Sequence, residues 1–190
     1  MISKKLYTKE RLLESVKILL EKKGLRGWNM ENLAETVGIT KRTLYKNIKD
    51  KESLIEEVLF ERIDTNQRIF LETISLNENY KSRLLKIVRL IPKTIFIDSE
   101  LYKEIFIEYP SIEQKVLEKR DFFYCRFKDF IKEGQEKGVI LSNIDGLEIV
   151  SWIQAIIIQG LKTGKENSVE KGILTILRGI MISENQSEVL

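Results

Sequence analysis

The chain of 190 residues contains no histidine, one cysteine and only two prolines. Without histidine there is no Ser-His-Asp or Cys-His catalysis, and the commonest transition-metal ligand is missing. With Cys125 alone, an intrachain disulfide and a cysteine-rich zinc site are both excluded, and the residue reads as a small core hydrophobe. No Gly-rich phosphate loop and no metal-ligand spacing is present. The chain therefore reads as a non-enzyme that needs no cofactor. The opening residues, MISKKLYTKERLLESVK, become charged at once and lack an apolar signal core. The most apolar run, Ile149 to Leu161, is interrupted by Ser151, Gln154 and Gln159 and is too short to span a bilayer. A cytoplasmic protein with no membrane partner is expected.

What the sequence does contain is helix-forming. Apolar residues make up 43% and charged residues 32%, with 10 glycines. Few breakers among many Leu, Ile, Glu and Lys predict an all-α fold. The net charge of +3 is unevenly distributed. Residues 1–50 hold 12 Lys/Arg against 6 Asp/Glu, and the rest hold 20 against 23. A basic excess confined to one end is the electrostatic footprint of a polyanion-binding domain.

Apolar periodicity and capping residues divide the chain into about nine helices. Thr8 caps a first helix over about 9–23, stopped by Gly24. Asn29 caps a short second helix with Met30, Leu33, Ala34 and Val37 on its buried stripe, and Gly38 ends it. Thr40 caps a third helix, with Leu44 and Ile48 facing inward. Asp50 caps a long fourth helix to about residue 75, with Ser53 as a partial capping box. Further helices are expected at about 80–97, where Pro92 predicts a kink, from the cap at Asp98 to about Tyr109, at about 111–137, at about 146–162, and, capped by Ser168, at about 169–182.

Residues 29–54 carry the functional signal. Two short helical patterns flank a Val37-Gly38-Ile39 turn, and the cationic, hydroxyl-rich Thr40-Lys41-Arg42-Thr43 opens the second. Ala34 is small where two helices cross closely. Gly38, four residues on, permits a positive φ. Leu44, six residues later, locks the following helix to the core. This is the layout of a helix-turn-helix, whose second helix can enter the major groove of double-stranded DNA. Lys41, Arg42 and Thr43 lie where base edges are reached, and Arg42 suits a bidentate contact to guanine. Tyr45 and Lys46 suit phosphates. Thr40 can meet a phosphate by hydroxyl or backbone N–H, and Lys51 reads as a phosphate clamp.

These residues resemble the signature of the TetR (tetracycline-repressor) family of transcriptional regulators: Leu33-Ala34, Gly38-Ile39-Thr40, and the Leu44-Tyr45 run through Ile48 and Lys51 to Leu54. The match spans about Thr8 to Phe60. Ile48 replaces the usual Phe, and Arg42 stands where a small residue is frequent, so the operator does not transfer from relatives. The resemblance implies an N-terminal three-helix DNA-binding domain, here residues 1–50. A C-terminal ligand-binding and dimerisation domain, 51–190, follows from it too, as does a homodimer formed through the last two helices. It also implies a repressor released by a small molecule.

In the C-terminal half the expectations are broader. The helix at 146–162 is apolar nearly all round, so it should be buried on every side, partly by a partner chain. Ile153, Ile156, Ile157, Ile173, Leu177 and Ile180 are the expected dimer contacts, with Gly172 and Gly179 allowing close approach. The central aromatics read first as packing. The sharper reading is a cavity for an effector, lined by Phe96, Phe106, Phe123, Tyr124, Phe127 and Trp152 with Asn66, Gln154 and Gln159 as polar groups. No charged pair stands out, so a small, largely apolar effector is the default. The competing reading is a DNA-binding adaptor or activator controlled by a protein partner, with no small-molecule pocket.

Overall fold

The structure, a computed structural model, describes residues 8–46, 48–95, 99–163 and 165–182. Among them are nine α-helices: α1 (Lys9–Lys23), α2 (Met30–Val37), α3 (Lys41–Tyr45), α4 (Lys51–Ile74), α5 (Tyr80–Ile95), α6 (Ser99–Glu108), α7 (Pro110–Glu136), α8 (Gly146–Thr163) and α9 (Glu166–Ile180). The all-α expectation holds. None of the described helices is long and apolar enough to cross a membrane. Asp98 and Phe96 lie outside the described residues.

The helices form two compact units, Met1–Thr65 with Glu100–Val116, and Asn66–Ser99 with Leu117–Leu190. The first is larger than a three-helix head, because the N-terminal part of α4, α6 and the start of α7 belong to it. Its core joins Leu12, Val16 and Leu20 of α1, Leu33 and Ala34 of α2, Leu44 of α3, Leu54 and Ile55 of α4, Ile105 of α6 and Ile112 of α7. Around this core α4 is braced on two sides. Glu57 and Glu61, one turn apart, pair with Lys9 and Lys17 of α1 at 3.2 and 3.1 Å. Glu52 and Glu56 meet Ser111 and Lys115 of α7 at 2.5 and 2.7 Å.

In the second unit α9 packs on α8 and α5. Phe70, Leu84, Ile87, Val88, Phe127, Phe130 and Ile131 are buried with Ile149, Ile153, Val169, Ile173 and Leu177. Gly134 is required by close approach: an added Cβ would lie 2.4 Å from the Tyr80 ring. The Tyr80 hydroxyl donates to the Phe130 carbonyl at 3.0 Å. Arg83, only 6% exposed, donates to the carbonyl of Ile74 at the end of α4 and to the Glu133 carboxylate. An isolated antiparallel bridge joins Ile140 to Met181.

Two sequence expectations change here. α9 starts at Glu166 rather than Val169, and Ser168 lies inside it instead of capping it. The residue at its cap position, Lys165, makes no side-chain hydrogen bond, so no local signal marked the start. Gly172 does permit a close helix contact, but within the subunit: an added Cβ would sit 3.0 Å from Cγ2 of Ile156. Gly179 faces open space.

Candidate DNA-binding surface

Local hydrogen bonds set the helix-turn-helix. The Asn29 side chain accepts from the Asn32 amide at 2.9 Å, and the Asn32 side chain accepts from the Asn29 amide at 3.2 Å. This reciprocal box fixes the start of α2. Gly38 ends the helix in the left-handed region at φ 78 and ψ 37. Its amide and that of Ile39 both return to the Ala34 carbonyl, at 2.9 and 3.0 Å. A Cβ would be strained at that φ, so glycine is needed for the turn. Thr40 then caps α3, accepting from the Thr43 amide at 3.2 Å.

α3 is only five residues long. Leu44, fully buried, points it inward, and Ile48 just beyond its end is buried as well. The opposite side presents Thr40, Lys41, Arg42, Tyr45 and Lys46 to solvent, with Tyr45 51% exposed. Thr43 is half-buried and its hydroxyl lies 2.9 Å from that of Thr40. Lys41 forms an ion pair with Glu31 of α2. The hydrogen bond from Lys41 holds the Glu31 carboxyl below its usual range. Two cations and a phenol, Arg42, Lys46 and Tyr45, therefore share one exposed face with a hydroxyl-capped helix start, as groove-edge and phosphate contacts require.

The structure reassigns Lys51. Its Nζ donates to the carbonyls of Leu25 at 2.5 Å and Trp28 at 2.8 Å, and lies 4.3 Å from the Trp28 ring centroid. Burial lowers its pKa, partly opposed by Glu108. Lys51 is thus committed to tying the segment between α1 and α2 onto α4, not free to clamp a phosphate. Its partners are more than 20 residues away in sequence, so no local pattern could show this.

The expected effector residues separate into groups. Phe123 and Phe127 of α7 stack on one another at 6.2 Å and meet Phe70 of α4 at 4.5 and 6.1 Å. Tyr124 lies edge-on to Phe123. Burial raises its pKa. Asn66 is half-buried on α4. Phe106 does not join them, because it packs on the core of the first unit beside Tyr102. Trp152 is 41% exposed and Gln159 is also exposed, so neither turns into the aromatic cluster.

The expected dimer contacts are also redistributed. Ile153, Ile173, Leu177 and Ile180 are buried within the subunit, so a partner cannot reach them. Ile156 and Ile157 are half-buried. Exposed positions among the described residues include Leu147, Ser151, Trp152, Ala155, Ile158 and Gln159 on α8, with Lys171, Thr175, Arg178 and Gly179 on α9. Periodicity correctly marks the apolar side of α9; it does not tell which neighbour covers that side.

The geometry of residues 29–46 is that of a helix-turn-helix DNA-binding domain. Residues 9–58 match the family model for bacterial regulatory proteins, tetR family. The chain is 28% identical over 137 residues to the uncharacterized HTH-type transcriptional regulator YvkB of Bacillus subtilis (strain 168), covering 70% of each. Its fold matches a TetR/AcrR-family regulator from Thermobifida fusca with a TM-score of 0.75 and 16% identity, over 90% of this chain and 98% of that one. A regulator from Saccharomonospora viridis in complex with choline matches with a TM-score of 0.74 and 19% identity, over 92% and 97%. The ketosteroid regulator KstR2 of Mycobacterium tuberculosis matches with a TM-score of 0.65 and 16% identity, over 94% and 98%. These likenesses place residues 9–58 with the DNA-binding domains of the tetR family, and the whole chain resembles transcriptional regulators of that family in fold.

Proposed function

We propose that this regulator is a cytoplasmic homodimeric repressor that leaves its operator when a small, largely apolar molecule binds the second unit. The observation that carries the DNA half is the exposed Thr40–Lys46 face on a helix locked by buried Leu44. Within it, Arg42 is proposed to read a base, while Thr40, Lys46 and Tyr45 set register on phosphates. Lys41 and Thr43 contribute beside them, Lys41 in exchange with its Glu31 partner. The proposed dimer uses the exposed faces of α8 and α9, centred on Trp152, Ala155 and Ile158 with Thr175 and Gly179. Two reading helices would then have to lie about one helical turn, roughly 34–36 Å, apart. A ligand that binds the DNA-incompetent state more tightly shifts the population away from that spacing. α4, which supplies residues to both units, is the proposed route.

Selection of bound duplexes from a random pool tests this reading. A pseudo-palindromic site is expected, with Arg42→Ala relaxing one position in each half by about 1–3 kcal/mol. Lys46→Ala should weaken all sequences alike and flatten the salt dependence. An unselective pool, or an unchanged affinity in both variants, rejects it. Light scattering at micromolar concentration tests the dimer.

A further inference from the structure

The second unit holds a partly buried cation that the roles above do not use. Arg120 of α7 is half-buried, with its guanidinium 5.4 Å from the Tyr124 ring. Its Nε is fully shielded from solvent and has no hydrogen-bond partner. Among the described residues no carboxylate pairs with it. Stacking on Tyr124 satisfies the face of the cation but leaves the in-plane N–H without an acceptor. An unpaired donor on a permanent charge is costly in a low-dielectric setting. Arg83 in the same unit shows the usual resolution: its Nε is also unpartnered, yet its two terminal nitrogens engage Glu133.

Position on the helix says what would complete Arg120. Residues 120, 123, 124 and 127 are spaced i, i+3, i+4 and i+7, so they share one face of α7. That face runs from a guanidinium over the Tyr124 ring to the rings of Phe123 and Phe127 against Phe70. A cationic end followed by an aromatic stretch is complementary to a molecule with an anionic head and an apolar body. One guanidinium balances one negative charge, and its parallel N–H groups match a carboxylate.

We infer that the effector of this regulator is a carboxylate-headed amphiphile, its head on Arg120 and Tyr124 and its body along Phe123 and Phe127. This rests on the reading of the second unit as the effector-binding one and gives that effector a charge. Choline in the Saccharomonospora viridis relative is a cation, so the opposite sign is a distinguishable outcome.

The test is calorimetric titration of the full chain, without DNA, with decanoate, decanol and decyltrimethylammonium, three probes of one tail and different heads. Decanoate is expected to bind at least about tenfold more tightly than the other two, the usual effect of a charge-assisted hydrogen bond. Arg120→Met should remove that preference and raise the melting temperature of the ligand-free protein, since an unpaired charge leaves. Arg120→Lys, which keeps the charge and loses the fork, should keep part of the preference and serves if the Met variant does not fold. Equal binding of the three probes, tighter binding of the cation, or a carboxylate preference retained in Arg120→Met overturns the inference. A second measurement adds operator DNA. Decanoate that binds through Arg120 but leaves DNA affinity unchanged supports the effector class and removes the release reading. Release by decanol alone does the reverse.

Discussion

In the first unit, Lys9–Glu57, Lys17–Glu61 and Lys115–Glu56 brace α4 from outside, with every partner still partly solvated. In the second, Arg83 is taken into the core, where it joins the end of α4 to α7 through Ile74 and Glu133. Screened surface pairs each contribute little, and the first unit depends on its apolar core and helix caps. A buried charge is different: its pairing is obligatory once the fold has enclosed it. The surface braces of the first unit should therefore tolerate changes of charge, and the Arg83–Glu133 pair of the second should not.

The largest expected effect follows from Glu133→Ala, which leaves Arg83 enclosed without its carboxylate. A loss of about 3 kcal/mol is expected by denaturant unfolding, at the low end for a broken buried pair because Glu133 is partly exposed. The same pair carries a pH signature. Hydrogen bonding from Arg83 holds the Glu133 carboxyl below its usual range, with Lys137 adding to this. A lowered folded-state pKa stabilises above the unfolded value of about 4.3, and that contribution disappears as pH falls through the folded value. Glu133→Gln should therefore flatten the acid limb of stability below about pH 4. An acid limb unchanged from wild type would remove the distinction drawn between the units.

Next in size is Gly134→Ala, which drives a methyl into the Tyr80 ring and should cost about 1–3 kcal/mol as overpacking. The melting temperature reports it, and a neutral result would mean the Tyr80 ring moves freely. Asn29→Ala removes one side of the α2 capping box and should cost about 1 kcal/mol, visible as weaker protection of the α2 amides in hydrogen exchange. Smallest is Lys115→Ala, expected to stay within about 0.5 kcal/mol of wild type. If it approached the effect of Glu133→Ala, the surface brace would matter as much as the buried one.

Sequence reading succeeded where the cause was local. Thr8, Asn29, Thr40 and Asp50 cap through bonds to amides three residues away, so residue type and spacing reveal them. Gly38 is legible for the same reason, since only a positive φ makes the turn. The exposed reading face follows from Leu44 by helical spacing. Non-local partners were hidden. Lys51 has the spacing of a phosphate contact, but carbonyls from the segment between α1 and α2 occupy it. Ile153, Ile173 and Leu177 are buried as their pattern requires, but by their own subunit. Phe106 and Phe123 are equally apolar, and only the chain path assigns them to different cores. Arg120 went unread because it stands in a run rich in charges, where burial of one nitrogen leaves no trace in the sequence.

The bridge between Ile140 and Met181 has a kinetic consequence. Leu141 donates to Ile180 and Ile182 donates to Val139, at 2.9 and 3.0 Å, so the chain meets itself just before α8 and just after α9. The intervening hairpin becomes a closed loop whose ends cannot fray independently. Opening it requires those two rungs to break together, which sets α8 and α9 apart as one cooperative unfolding block. The amides of Leu141 and Ile182 should then exchange with solvent at a common rate, despite lying at opposite ends of the hairpin.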